Sequence, residues 1–187
     1  MCRISQILIV VSTIFVSDGD VYVAGGYSNQ AKLWKNGTEV NLNGGTFANS
    51  VFVSDGDVYA AGCGASSAKL WKNGAEVNLN SGTEAYSVYV SGNDVYVAGR
   101  YGFEAARLWK NGIVQHITDD KDAKVFFSVF VSNENVYTSG YVSIIEPIQG
   151  SSISIGYSKA TLWKNGKILD LHTEGKNNSS AVSIFVK

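Results

Sequence analysis

At 187 residues the chain is long enough to bury one core. Its 45% apolar and 12% aromatic content, with 20 glycines and one proline, excludes a disordered chain and suits a β-rich protein with many tight turns. Fifteen basic residues against 16 acidic ones leave no net field to draw nucleic acid or an anionic membrane, so neither partner class is expected.

The chain opens on an apolar run, Ile4 to Val16, ISQILIVVSTIFV. A single Arg3 precedes it and no A-x-A-like cleavage site follows. The run is too short and too polar for a membrane span. Its second half, Ser12 to Val16, recurs four more times along the chain, so a β-strand is the expected reading and a signal peptide the alternative. Location stays open on these grounds, with a secreted or cell-surface setting slightly ahead of the cytoplasm. Cys2 and Cys63 are too few for a disulfide scaffold and read as free thiols.

From there the chain repeats itself. WKNG begins at Trp34, Trp71, Trp109 and Trp163, and a V-Y pair begins at Val21, Val58, Val95 and Val136. The Trp spacings are 37, 38 and 54 residues, the long one marking an insertion in the fourth copy. The repeats run approximately over 12–49, 50–86, 87–127 and 128–180, with a lone fifth first strand at 181–187, all within one domain, 1–187. In the second copy four strands are expected: Ser50 to Val53, Asp57 to Ala61, Ala68 to Lys72 and Glu76 to Leu79. Between the last two lies Asn73-Gly74, a strong hairpin signal because both central residues of a type I′ turn need positive φ. Gly37, Gly112 and Gly166 hold the same place in the other copies. Connections this short force antiparallel neighbours, so each unit is a four-stranded meander. Val51 and Phe52 point to opposite faces, as do Leu70 and Trp71, so the inner strands are apolar on both sides and must be covered on both. The fold class expected is all-β, a β-propeller of four four-stranded antiparallel blades, either a closed four-blade ring or a fragment of a larger propeller.

The stretch SVFVSDGDVYVAG, in its several versions, resembles the first half of a kelch-type repeat, in which a second strand ends in Gly-Gly; Gly25-Gly26 matches that pair in full. Later copies depart, with Gly62-Cys63, Gly99-Arg100 and Gly140-Tyr141, and the Trp lies within the third strand. The chain is also similar to short WKNG-containing repeats of uncharacterised bacterial proteins. The resemblance implies a propeller without implying a particular activity. If the ring closes, the final run AVSIFVK has Ser183 to Val186 pairing with Val21 to Ala24, a seat that Thr13 to Val16 also claims.

In such a meander two turns emerge on one rim and two links on the other. The turns repeat: SDGD, SDGD, SGND and SNEN, then KNG in every copy. The links vary, up to the long YVSIIEPIQGSSISIGYSK of the fourth copy. Varied loops on a constant frame are where binding is expected, and Tyr27, Arg100, Tyr101, Phe103, Tyr141 and Tyr157 are the candidate binding residues on that rim. Trp34, Trp71, Trp109 and Trp163 read as core aromatics packed between blades, with sugar-stacking platforms as the alternative. Asp18, Asp20, Asp55 and Asp57 read as turn residues in preference to calcium ligands, since the later copies lose the acid spacing. Asp119, Asp120 and Asp122 with Lys121 read as a solvated cluster, and His116 and His172 lack companions at zinc-ligand spacing. Asn36-Gly37-Thr38 and Asn177 to Ser180 contain glycosylation sequons, which matter only in a glycosylating host. No nucleophile elbow, phosphate loop or dinucleotide fingerprint occurs.

The function expected is therefore a non-catalytic binding module for a protein or carbohydrate ligand, with no cofactor and no metal. The alternative is a structural or assembly unit that self-associates through its unmatched terminal strands.

Overall fold

The structure is a computed structural model that describes residues 9–103, 105–115, 123–149, 154–169, 171 and 178–186. Among them lie sixteen strands in four sheets, each a four-stranded antiparallel meander whose strands neighbour one another in chain order. Sheet one holds β1 (Val10–Ser17), β2 (Asp20–Tyr27), β3 (Gln30–Lys35) and β4 (Thr38–Asn41). Sheet two holds β5 (Phe47–Ser54), β6 (Asp57–Cys63), β7 (Ala68–Lys72) and β8 (Ala75–Val77). Sheet three holds β9 (Glu84–Ser91), β10 (Asp94–Tyr101), β11 (Ala105–Lys110) and β12 (Ile113–Gln115). Sheet four holds β13 (Ala123–Ser132), β14 (Asn135–Pro147), β15 (Ser154–Lys164) and β16 (Lys167–Leu169). No helix long and apolar enough to cross a membrane occurs among the described residues.

The first strand of every sheet is longer than the four-residue run that announces it, because it runs on through a β-bulge. In sheets one, two and three the register skips Ser12, Asn49 and Tyr86, and in sheet four it skips Phe127 along with Lys124. A bulge bends the strand toward its partner. The glycine that closes each V-Y strand answers that bend: a Cβ at Gly25, Gly62, Gly99 or Gly140 would lie 2.1, 2.1, 2.1 or 1.9 Å from a carbonyl oxygen of the first strand. The fourth strands are shorter than their patterns imply. β8 ends at Val77, and Leu79 leaves the ladder yet stays buried against sheet three.

The long segment of the fourth copy is an extension of the sheet and not a loop. β14 and β15 continue pairing out to Pro147↔Ser154, as the β-branched residues Val142, Ile144, Ile145 and Ile155 allow.

The sheets pack face to face in series. Tyr22, Ala24 and Leu33 of sheet one meet Val51, Val53, Ala60 and Trp71 of sheet two. Tyr59, Ala61 and Leu70 meet Val88, Val90, Val97 and Trp109, and Tyr96, Ala98 and Leu108 meet Val129, Val131 and Trp163. Each interface sets an aromatic-small-Leu face against a Val-Trp face. Along the first strands the rings of Phe15, Phe52, Tyr89 and Phe130 follow one another at 4.7 to 4.9 Å.

Trp71, Trp109 and Trp163 are fully buried, each inserted into the sheet before its own. The indole nitrogens of Trp71 and Trp109 donate to the carbonyls of Asn43 and Asn80 at 3.0 and 2.6 Å. Gly45 and Gly82 lie flat against these indoles, where a Cβ would come within 2.5 and 2.3 Å. Trp34 occupies the same repeat position but is only partly buried, and no described sheet precedes its own.

The carboxyl-terminal run does not take the seat beside β2. That seat belongs to β1, which pairs Thr13↔Ala24 through Ser17↔Asp20. Residues 178–186 instead form no strand and lie on sheet four, where the Ala181 amide donates to the Gly140 carbonyl at 3.0 Å and Phe185 meets Phe130 at 5.3 Å.

Truncating Trp71 to Ala should lower the stability of the folded chain by roughly 3–5 kcal/mol, the cost of emptying a large aromatic site. Trp34→Ala should cost no more than about half of that, since its site is open on one side. Urea unfolding measures both, and equal losses would contradict the packing direction.

Candidate functional site

Two rims flank the sheets. On the turn rim the repeated residues close an asparagine clamp that recurs in every copy. The KNG asparagine takes the left-handed conformation at Asn36, Asn73, Asn111 and Asn165, and the following Gly has positive φ as well. This brings the asparagine side chain back over the start of the second strand. Its Oδ1 accepts from the amide of Val21, Val58, Val95 or Val136 at 2.8 Å. Its Nδ2 donates to Asp20, Asp57, Asp94 or Asn135 at 2.7 to 2.8 Å.

The lysine before it joins the same acid. Lys35, Lys72 and Lys110 pair with Asp20, Asp57 and Asp94 at 2.6 to 2.7 Å. Each also lies over the ring of the V-Y tyrosine, 5.3 to 5.5 Å from its centroid. Hydrogen bonds from lysine, then from asparagine, hold the three carboxyls below the ordinary carboxylate range. Asp20 and Asp57 are thus engaged by cations and amides of their own hairpins. Asp18 and Asp55 accept from the neighbouring hydroxyls of Ser17 and Ser54. All four acids therefore make hydrogen bonds within their own hairpin rim.

The link rim is where the copies differ. Arg100, the last residue but one of β10, bonds Glu84 through both Nε and Nη2 at 2.9 and 2.8 Å. Its guanidinium lies over Phe103 at 4.8 Å and over Tyr86 at 5.8 Å. Tyr86 donates its hydroxyl to Glu84, and burial, then that carboxylate, pushes its ionisation upward. The row continues from Tyr86 to Phe127 at 5.3 Å and from Phe127 to Tyr141 at 6.1 Å. Arg100, Phe103 and Tyr141 are therefore brought together along one line. Beside Arg100 opens a shallow groove of about 290 Å³, lined by Cys63, Thr83, Glu84, Gly102 and Phe103 among others. Phe103 is 82% exposed at its edge.

Three other candidates stand apart from this row. Tyr27 bonds Glu39 at 3.2 Å on sheet one, with Lys32 over its ring. Tyr101 is covered by Arg107 at 5.3 Å, and Tyr157 donates to Glu146 at 2.8 Å on the extended hairpin. Tyr86 and Phe127, which connect the row, are absent from the sequence-based set. Their signal was present: one repeat position reads Ser12, Asn49, Tyr86 and Phe127 between near-constant neighbours. That position is the bulge, and a bulge re-aims its side chain out of the pleat. In the first two copies the bulge residue is polar and spends itself on the next sheet, Ser12 on the Ala48 carbonyl at 3.0 Å and Asn49 on that of Ala85 at 2.8 Å.

His116, His172, Asp119, Asp120, Lys121, Asp122, Cys2 and Asn177 lie outside the described residues. Asn178 is described, and its side chain accepts from the Ser158 amide at 2.9 Å.

No family model matches the chain, and no curated protein matches it. Among solved structures it is similar to the computationally designed Ika8 protein, with 16% identity and a TM-score of 0.50. The similarity takes in 95% of this chain, which spans 65% of the length of the designed one. At that identity the likeness concerns the fold alone.

The clamps imply a definite acid response. A carboxyl lowered by folding adds stability that is full above its unfolded pKa, about 3.9. That stability is lost as pH falls through the lowered folded value. The urea midpoint should hold steady down to about pH 4 and then decline, less steeply at high salt because these pairs are exposed. Asn135 already replaces the acid in the fourth clamp, so a chain carrying D20N, D57N and D94N should keep its turns and lose much of this acid dependence. An acid decline as steep as that of the native chain would contradict the clamp's role.

Proposed function

We propose that the four sheets are consecutive blades of a propeller-like, kelch-like repeat array, and that the array is a non-catalytic binding module that takes a protein or glycan ligand on its link rim. The serial order of the meanders and the thrice-repeated face-to-face packing support the blade reading. One observation carries the binding reading: residues that vary between otherwise constant copies converge on a single row, Phe103, Arg100, Tyr86, Phe127 and Tyr141.

The chemistry of that row suits recognition. Arg100 is charge-compensated by Glu84, so it offers a flat guanidinium face and spare N–H donors without drawing anions indiscriminately. The exposed face of Phe103 offers a stacking surface for a sugar ring or an apolar side chain. Carboxylate, hydroxyl and backbone groups around the groove supply directional hydrogen bonds. The constant clamps on the opposite rim hold the frame on which this surface is varied.

Binding to a printed glycan array and to a displayed peptide library tests the reading. The F103A chain should lose roughly tenfold or more in affinity for any ligand found, equivalent to about 1.4 kcal/mol. Because Phe103 is so exposed, the unfolding midpoint should stay where it is. Ligands that bind the F103A chain as tightly as the native one would remove the row from the binding surface.

A further inference from the structure

We propose that the outward face of sheet one docks a second copy of this chain, which covers it with its own sheet four, so that copies add head to tail. The proposal is independent of the link-rim reading and rests on the burial of repeat-equivalent residues. Val11, Ile14 and Val16 on sheet one are 51, 64 and 62% exposed. Their counterparts are Ala48, Val51 and Val53 on sheet two, Ala85, Val88 and Val90 on sheet three, and Phe126, Val129 and Val131 on sheet four. All nine are at most 8% exposed. Val21 adds to the patch on sheet one, and Trp34 stands half-open beside it. A contiguous apolar face of this kind marks an interaction site.

The chain itself shows what covers such a face. Three times over, a Val-Trp face is covered by an aromatic, a tyrosine, a small residue and a leucine from the preceding sheet. A fourth set of the same kind, Phe130, Tyr137, Ser139 and Leu162, lies on the far side of sheet four, where no described sheet covers it. The chain thus carries one further copy of each half of an interface that it builds three times internally; the half on sheet one is open, and the half on sheet four is partly covered, with Ser139 buried and Phe130, Tyr137 and Leu162 half-buried.

Residues 181–186 occupy part of that second half. They repeat the pattern of β1, with Ser183, Ile184, Phe185 and Val186 matching Thr13, Ile14, Phe15 and Val16, and Phe185 sits on Phe130 where an incoming Phe15 would stack. Only one of the two can hold the seat. β1 is paired with β2 along most of its length, whereas residues 181–186 form no strand and leave Val182 and Phe185 66 and 76% exposed. The terminal segment is therefore the one displaced, and it acts as a removable cover on sheet four. The contact joins unlike faces, so it either closes a ring or extends as a filament.

Sedimentation of the full chain from about 1 to about 300 µM is the test, a range that brackets micromolar association. The native chain should show mass rising with concentration, and a chain ending at Ser180 should associate severalfold more tightly. An I14K/V16K chain should be monomeric with an unchanged unfolding midpoint, because both residues are exposed. Mixed with native chain, this variant should still join it, since its sheet four is intact. Monomers throughout, for both the native and the shortened chain, would overturn the proposal. So would association that survives the two lysines. A lysine variant that stays apart from native chain would also overturn it, showing that sheet one meets another sheet one.

Discussion

The inner strands of the four sheets are apolar on both faces, so each face is stabilised when another sheet covers it. The chain provides that cover by handing the indoles of the second, third and fourth WKNG segments back to the sheet before each. The buried Trp71 and Trp109 reach across the interface and bond the link carbonyls of Asn43 and Asn80. Serial stacking, the glycines flattened against the indoles and the aromatic file along the first strands all follow from that arrangement. It also leaves a sheet face exposed where the series begins, with Ile14 and Val16 in the open.

The two rims divide the work. On the turn rim one asparagine in the left-handed conformation closes a hairpin and binds the neighbouring strand at once, which explains why K-N-G is kept in all four copies. The fourth clamp substitutes Asn135 for the acid and keeps the geometry, so the hydrogen bonds define the device and the charge only adds to it. On the link rim the same frame presents different side chains at one bulge position, polar in two copies and aromatic in two. A variable surface on a fixed support is the arrangement that the proposed recognition role requires.

Much of this architecture could be read from residue order. WKNG and the V-Y pairs located the strands and hairpins, and the two-sided apolar pattern around Val51-Phe52 and Leu70-Trp71 anticipated burial on both faces. Period-two reasoning missed the bulges, because a bulge breaks the alternation by one residue and Tyr86 and Phe127 then point where the pattern does not place them. The insertion of the fourth copy reads as the longest of the variable links, whereas strand pairing continues through it to Pro147↔Ser154. Of the six rim residues chosen from variability, Arg100, Phe103 and Tyr141 converge. Tyr27 and Tyr157 bond Glu39 and Glu146 on their own sheets, and Tyr101 lies against Arg107. Sequence variation identified the rim, but which side chains meet depends on the bulge and on the stagger of neighbouring sheets.

The packing is directional: Trp71, Trp109 and Trp163 are each buried by the sheet that precedes their own, and no described sheet precedes that of Trp34. Hydrogen–deuterium exchange at the four indole N–H groups, followed by NMR in dilute solution, tests it most directly. The indoles of Trp71 and Trp109, buried and bonded to carbonyls, should exchange slowly, at rates set by opening of the packed sheets. That of Trp34 should exchange orders of magnitude faster. Four indoles exchanging at one common rate would contradict the serial packing on which the account rests.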